Sequence, residues 1–429
     1  MVKSIMDEVK KGFMKNIGDL SFKKIDETKF EFSIKILENF LNTGGIAHGG
    51  FIATIADTGM GNAAHIAAGN KRCVTINLDI KFISAGKLNE NLIGRVKVLK
   101  KTKTLVFISS EIFPSEKIVA TASGTAAIVA SLLAVLKTGD HILMTDSAYG
   151  VSRNLTKQLL NNMGINTTFY NPNLTNKIKE LITNKTKLIF MESPGSLTFE
   201  IQNISMIVDI AKKYNLITVI DNTWATSLYL KPMNYGVDIS IQSATKYIVG
   251  HSDAMLGVIT TNKKYAKQIR ESAHNLGSCP GPEDIYLGIR GLKTLSIRLK
   301  KHQENAMKII EWLLRQREVN RVLYPALPDN PGYKIWKKDF KGASGLFGVI
   351  LENTRKDLIY KMLNNLKLFN MGYSWGGYES LILPVNPEKI RDTYKWNHMD
   401  LTLRIHAGLE DPDDLINDLK DNFNILKID

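Results

Sequence analysis

The spacing of apolar and polar residues changes near residue 120. Before that point the period is two. Val74, Ile76, Leu78, Ile80 and Phe82 alternate strictly with polar neighbours, which predicts a half-buried β-strand. Weaker alternation over residues 29–36, 92–99, 104–113 and 117–122 predicts further strands. Between the first strand and residue 74, the pair Gly49-Gly50 opens a run with helical apolar spacing that continues through Ala64. One helix among a run of antiparallel strands reads as α+β, a sheet wrapped on a helix.

After residue 120, short apolar runs at 141–145, 187–191, 216–220, 237–241 and 256–260 alternate with helical segments, the first of them 126–136. That order predicts an α/β domain, a mainly parallel sheet covered by helices. From about Leu292 a long amphipathic helix leads into a smaller α+β unit ending near Asp429. The expected domains are therefore 1–120, 121–292 and 293–429. A chain of 429 residues is too long for one ordinary core and agrees with such a division. No repeat or low-complexity linker separates the halves, which meet inside the run Ile118-Val119-Ala120-Thr121-Ala122-Ser123-Gly124-Thr125.

Composition narrows the classes. Hydrophobic content of 44% and charged content of 23% are those of a soluble globular protein. No stretch approaches the roughly 18 to 20 apolar residues of a membrane span, so no membrane partner is expected. The first residues, Met1 to Glu8, lack the apolar core of a signal peptide, and two cysteines make no disulfide framework. A cytoplasmic location is the expectation. The net charge of +14 comes mostly from scattered lysines, without a dense basic block interleaved with aromatics. Nucleic-acid binding is not expected, whereas a positive field would attract anions such as phosphates or coenzyme A.

The chemistry concentrates at strand ends. Asp221 closes the apolar run Leu216-Ile217-Thr218-Val219-Ile220, and Lys246 closes Ser243-Ala244-Thr245-Lys246 just after the run 237–241. Ligands of open α/β sheets gather outside the carboxyl ends of the strands. Alone, either residue reads as a loop carboxylate or a solvated lysine. As a pair they suit pyridoxal phosphate, which needs a lysine amine for covalent attachment and an acidic partner for its pyridinium nitrogen. Ser123, Gly124 and Thr125 precede the helix 126–136, where small residues and the helix dipole favour an anion. The hydroxyls of Ser243 and Thr245 would add donors to a phosphate there. By itself that stretch is a plain helix cap.

Residues from about 121 onward resemble the transsulfuration branch of fold-type I pyridoxal-phosphate enzymes, most closely the bacterial cystathionine β-lyases. The stretches that carry the likeness are Gly139-Asp140-His141-Ile142-Leu143 with Tyr149-Gly150, Glu192-Ser193-Pro194-Gly195-Ser196-Leu197, Asp221-Asn222-Thr223-Trp224, Ser243 to Asp253, Arg290-Gly291-Leu292, Tyr373 to Ser380 and Leu403-Arg404-Ile405-His406. The resemblance implies that Lys246 carries the cofactor and shuttles the proton of the substrate Cα. It implies that Asp221 keeps the pyridine nitrogen protonated and that Tyr149 stacks on the ring. Arg404 would fork onto the substrate carboxylate, with Ser374 and Trp375 helping to hold it. The implied reaction is β-elimination of L-cystathionine to homocysteine, pyruvate and ammonia. No metal ligand set is assigned.

Residues 1–120 resemble hotdog-fold acyl-CoA thioesterases of the phenylacetate type. The carrying residues are Asn42, His48-Gly49-Gly50, Ala56-Asp57-Thr58 and Phe82. The likeness implies acyl-CoA as a ligand, an oxyanion donor at the Gly50 N–H, Asp57 as base or nucleophile, and Asn42 positioning water or thioester. It also implies a site across a dimer interface, so a homo-oligomer is expected. An isolated His-Gly-Gly is otherwise a tight turn, and Asp57 a polar residue on a helix edge. Lyases of this kind carry, before the phosphate loop, an arm whose tyrosine and arginine reach the neighbouring subunit's cofactor. Here the hotdog unit stands in its place, so the phosphate is expected to lose those donors. The alternatives to a lyase with an appended hotdog unit are an acyl-CoA thioesterase with an inactive lyase half, and a hotdog unit that only assembles subunits.

Overall fold

The computed structural model describes residues 16–80, 86–114, 118–174, 176–352, 355–393, 395–396 and 402–426. The chain divides into two units, Met1–Glu116 and Lys117–Asp429. In the first, strands β1 (Ser21–Lys24), β2 (Lys29–Lys35), β3 (Asn91–Lys101) and β4 (Val106–Pro114) form an antiparallel sheet in that order. The alternation in β2 turns Phe30, Phe32 and Ile34 to one face, where Leu92 and Val96 of β3 join them. Helix α1 (Gly49–Ala67) covers this face with Phe51, Ile55 and Ala63. Burying each of the Phe, Ile, Leu and Val side chains contributes about 1.5–3 kcal/mol.

The strand expected from Val74 onward does not form among the described residues. Val74 and Ile76 are 87% and 79% exposed, and residues 71–80 join no ladder. Alternation states which face would be buried but supplies no neighbouring strand. This segment instead bonds to α1, through His65 Nδ1 to the Lys71 carbonyl at 2.8 Å and Thr75 Oγ1 to Asp57 at 2.6 Å. Phe82 lies outside the described residues.

The second unit holds a seven-stranded sheet of β5 (Ile118–Thr121), β6 (His141–Thr145), β7 (Asn166–Tyr170), β8 (Thr186–Glu192), β9 (Ile217–Asp221), β10 (Ile239–Ser243) and β11 (Gly257–Thr261). Its order is β5-β11-β10-β9-β8-β6-β7. Strands β6 to β10 run parallel, and β11 is antiparallel to both its neighbours. The runs in β6, β8, β9 and β10 are buried on both faces, as a helix-covered parallel sheet requires. Strand β5 corrects the expectation that residues 117–122 end the first unit's sheet. Its Val119 and Ala120 pair with Ile259 and Val258 of β11. A short alternating strand fits either sheet, and β11 offered the matching edge.

Strands β12 (Val319–Leu323), β13 (Leu346–Leu351), β14 (Leu381–Val385) and β15 (Thr402–His406) form an antiparallel sheet in the order β12-β13-β15-β14. It shares a continuous apolar core with the seven-stranded sheet, from Ile189 and Ile220 through Trp224 to Phe347 and Ile405. Helix Leu295–Leu313 buries its apolar stripe, Leu299, Ala306, Ile309, Ile310 and Leu313, as its spacing predicts. No helix among the described residues is long and apolar enough to cross a membrane.

Candidate active site

Strands β9 and β10 are parallel neighbours with Ile241 opposite Asp221, so both chains leave the sheet at the same edge. Asp221 is the last residue of β9, and Lys246 stands in the turn after β10. That turn is held from below by Arg298, 5% exposed, whose guanidinium donates to the carbonyls of Tyr247 at 2.7 Å and Ile248 at 3.2 Å. Ser123 caps helix α2 (Gly124–Val135), its Oγ accepting from the Ala126 N–H at 3.1 Å. A Cβ on Gly124 would come within 2.6 Å of Ser243 Cβ, so only glycine lets the helix start approach the end of β10.

A cavity of about 630 Å³ opens over this edge. It is lined by Ser123, Gly124, Thr125, Tyr149, Asp221, Ser243, Thr245, Lys246, Ser374, Trp375 and Arg404, which brings every residue singled out in this half of the chain to one place. Lys246 Nζ donates to Ser374 Oγ at 2.8 Å and lies 5.4 Å from the Trp375 ring. Arg404 Nη2 donates to the carbonyls of Gly372 and Tyr373, each at 3.0 Å. Among the described residues its Nη1 and Nε make no hydrogen bond, which leaves them as donors for a ligand carboxylate. Thr245 has a second task, since its hydroxyl bridges the main chain of Leu256 at 2.9 and 3.2 Å.

The loop carrying Ser374 and Trp375 is fixed by a residue the sequence left without a role. His406 Nε2 accepts from the Gly376 N–H at 3.0 Å, and its Nδ1 faces the Glu379 carbonyl at 3.1 Å. This pattern requires the neutral ring with the proton on Nδ1, and burial together with the adjacent His302 holds its pKa well below the ordinary value. Gly376 has φ +85°, and a Cβ there would meet Tyr247 N at 2.9 Å and Lys246 Cα at 3.0 Å. A glycine is therefore required for the loop to press against the lysine.

The electrostatics suit amine chemistry. Burial, then the Arg404 charge, draws the Lys246 amine down to about 8, with Asp221 opposing. Burial raises the Asp221 carboxyl, against the Thr223 hydroxyl and N–H at 2.5 and 2.9 Å and the Lys246 charge. Burial also lifts Glu192 well above the usual range, reinforced by Asp221, which faces it across the β8–β9 register. Glu192 accepts the Tyr149 N–H at 2.7 Å and so fixes the start of the helical turn that carries Tyr149, a residue 47% exposed that lines the cavity. Burial, then Glu192, raises the Tyr149 hydroxyl. Glu192 had the same signal as Asp221, a carboxylate ending a buried strand.

These residues fit pyridoxal phosphate. Lys246 would take the aldehyde, and Asp221 would face the pyridine nitrogen. The close Gly124–Ser243 approach at a helix start would receive the phosphate, because N–H groups and dipole converge where no Cβ intrudes.

The candidates in the first unit are more exposed. Gly50, expected to donate to an oxyanion, instead donates to His48 Nδ1 at 2.9 Å. His48 is the N-cap of α1, and a helix start leaves N–H groups that a cap side chain satisfies. Asn42 Oδ1 closes its own turn on the N–H groups of Gly44 and Ile46 at 2.9 and 3.3 Å. Asp57 is exposed and accepts the Thr75 hydroxyl.

A family model described as Cys/Met metabolism PLP-dependent enzyme matches residues 100–424, and the Thioesterase superfamily matches residues 44–120. The two matches overlap over 100–120, a span that includes β4 and most of β5. The chain is 42% identical to the cystathionine beta-lyase of Escherichia coli (strain K12), over 70% of this chain and 78% of that protein. It is also 42% identical to an L-alanine/L-glutamate racemase of Wolbachia pipientis wMel, over 69% and 74%. The crystal structure of cystathionine gamma-lyase from Lactobacillus plantarum complexed with L-serine superposes with a TM-score of 0.67 at 30% identity, covering 73% of this chain and 83% of that one.

Proposed function

We propose that this chain, which belongs to the Cys/Met metabolism PLP-dependent enzymes, is a carbon–sulfur lyase that splits L-cystathionine by β-elimination. The reading rests on Lys246, an amine drawn down to about 8, placed beside Ser374 in one cavity with Asp221 and Arg404. When bound, pyridoxal phosphate supplies the electron sink that makes a Cα proton acidic. Arg404 binds the α-carboxylate through its outer guanidinium edge and fixes which bond faces Lys246. The Lys246 amine takes the Cα proton. The Cβ–S bond then breaks and homocysteine leaves with a proton restored to sulfur. Overall, cystathionine and water give homocysteine, pyruvate and ammonia. Residues 121–292 supply the cofactor groups, and residues 293–429 act as the smaller α+β part that carries Arg404 and the Ser374 loop.

The racemase relative supports a second reading, because moving the Cα proton without losing a β-substituent is racemisation. The purified chain with added pyridoxal phosphate is assayed for pyruvate and homocysteine from L-cystathionine, and for inversion of L-alanine and L-glutamate. Elimination faster than inversion is expected, whereas inversion alone would overturn the lyase reading. For residues 44–120 the superfamily match supports acyl thioester hydrolysis, for which Asp57 is the candidate base or nucleophile. Hydrolysis of acyl-CoA thioesters, lost in Asp57→Ala, is the expected result there, and unaltered hydrolysis in that variant would remove Asp57 from the role.

A further inference from the structure

Strand β8 ends at Glu192, opposite Asp221 of β9, so the chain that follows leaves the sheet at the edge where the cavity opens. In that stretch Leu197 has φ +66° and Phe199 φ +59°, the left-handed region that residues with a Cβ rarely adopt. Of the seven non-glycine residues with positive φ among those described, these two are the ones that line the cavity. Such a conformation persists only where its surroundings fix it. Here they do. The Gly195 N–H donates to the Glu200 carbonyl at 2.8 Å, and the Phe199 N–H to the Gly195 carbonyl at 3.0 Å. The Ser196 N–H donates to the Ser147 carbonyl at 2.7 Å. From the other side Arg391, its side chain 1% exposed, donates to the Ser196 carbonyl at 3.1 Å and to the Thr198 hydroxyl.

The two residues differ in what their placement gains. Phe199 is 1% exposed and belongs to the core shared by the two sheets, so its burial offsets the strain. Leu197 is half-buried and belongs to no apolar cluster among the described residues. Folding does not account for a leucine there, because glycine or asparagine would take the same backbone with less strain. The cavity does. Lys246 and Arg404 serve the charged end of an amino acid, and an apolar side chain on the wall suits the uncharged part. Ile390, which precedes Arg391 in the chain, lines the same cavity.

We propose that Leu197 is a specificity-determining residue, its side chain packing on the alkyl chain beyond sulfur in the leaving half of the substrate. This rests on the elimination reading. The strained loop keeps the leucine at the wall, and the selectivity it gives is the return for a backbone that glycine would hold more easily.

The test compares L-cystathionine with S-methyl-L-cysteine, which keeps the reacting half and ends one carbon beyond sulfur. The cofactor-loaded wild type, Leu197→Ala and Leu197→Gly are measured with both, reading KM, kcat and melting temperature. Removing the side chain should lower kcat/KM for L-cystathionine by about tenfold, mainly through KM, and for S-methyl-L-cysteine by only about twofold. Leu197→Gly should also melt higher than Leu197→Ala, because glycine adopts positive φ without a Cβ clash. An equal change for both substrates, or no change for either, overturns the assignment. So does a glycine variant that melts no higher than the alanine one. If the wild type cleaves neither substrate, the elimination reading fails. Binding of the two compounds, read by the change in visible cofactor absorbance, then decides the role of Leu197 by the same ratio.

Discussion

Lys246→Ala is expected to abolish the visible absorbance of bound cofactor and to cut elimination by about 10³-fold or more, since one side chain supplies both the attachment and the proton transfer. The fold should be unaffected, because Lys246 borders the cavity and, among the described residues, its side chain makes a single hydrogen bond, to the exposed Ser374. An unchanged circular-dichroism spectrum beside lost absorbance is the expected pair of readings. The wild-type protein should also show the lowered amine directly. Lys246 is protonated and unreactive below about 8 and neutral above it, so attachment should rise with a midpoint near that pH. Absorbance retained in the alanine variant, with turnover within about tenfold of wild type, would place the chemistry on another amine.

Arg153→Ala carries the largest expected loss of stability. Arg153 is 2% exposed and Asp146 is wholly buried, with Nη1 to Oδ1 at 2.7 Å. Arg153 also donates to the Asp146 carbonyl at 2.9 Å, pairs with Asp392, and lies 3.9 Å over the Phe169 ring. Asp146 in turn accepts the N–H groups of Asp392 and Thr393 at 3.0 and 2.9 Å and the Thr393 hydroxyl at 2.9 Å. Removing the arginine leaves a buried carboxylate short of its partner, a loss of about 3–5 kcal/mol. For a unit of this size the melting temperature should fall by about 10 °C. The same contacts anchor residues 391–393, which follow Lys389 and Ile390 at the cavity wall.

The pH dependence of that loss has a definite sign. Burial pushes the Asp146 carboxyl up, but the Asp392 and Thr393 N–H groups and the Arg153 charge outweigh it and hold it below the usual carboxylate range. A depressed carboxylate contributes stability above its unfolded pKa, and that contribution disappears as pH falls through the folded value. The difference in melting temperature between wild type and variant should be full near neutrality and shrink below about pH 4. A difference that stayed constant on acidification would show that packing, not the ion pair, carries the effect.

Asp221 and Lys246 were legible from sequence because each closes a buried run, and the end of a parallel strand is where an open sheet binds ligands. Glu192 carries the same signal, a carboxylate ending a buried strand. Its task, fixing the Tyr149 N–H, depends on the register of β8 against β9, which no local pattern reveals. The alternation at Val74 and Ile76 predicted a face without a partner strand, and residues 118–121 found their partner in β11. In both cases the period was right and the pairing was decided by distant residues. Gly50 differs again. A glycine at a helix start announces a free N–H, but the side chain two residues before it decides whether that donor is available.

The most direct measurement of the central claim is borohydride reduction of the wild-type chain with added pyridoxal phosphate, followed by peptide mapping. The account predicts that the cofactor is fixed on the peptide containing Ser243-Ala244-Thr245-Lys246-Tyr247, in proportion to pyruvate formed from L-cystathionine before reduction. Cofactor fixed on a different lysine, or none fixed while pyruvate still forms, would contradict it.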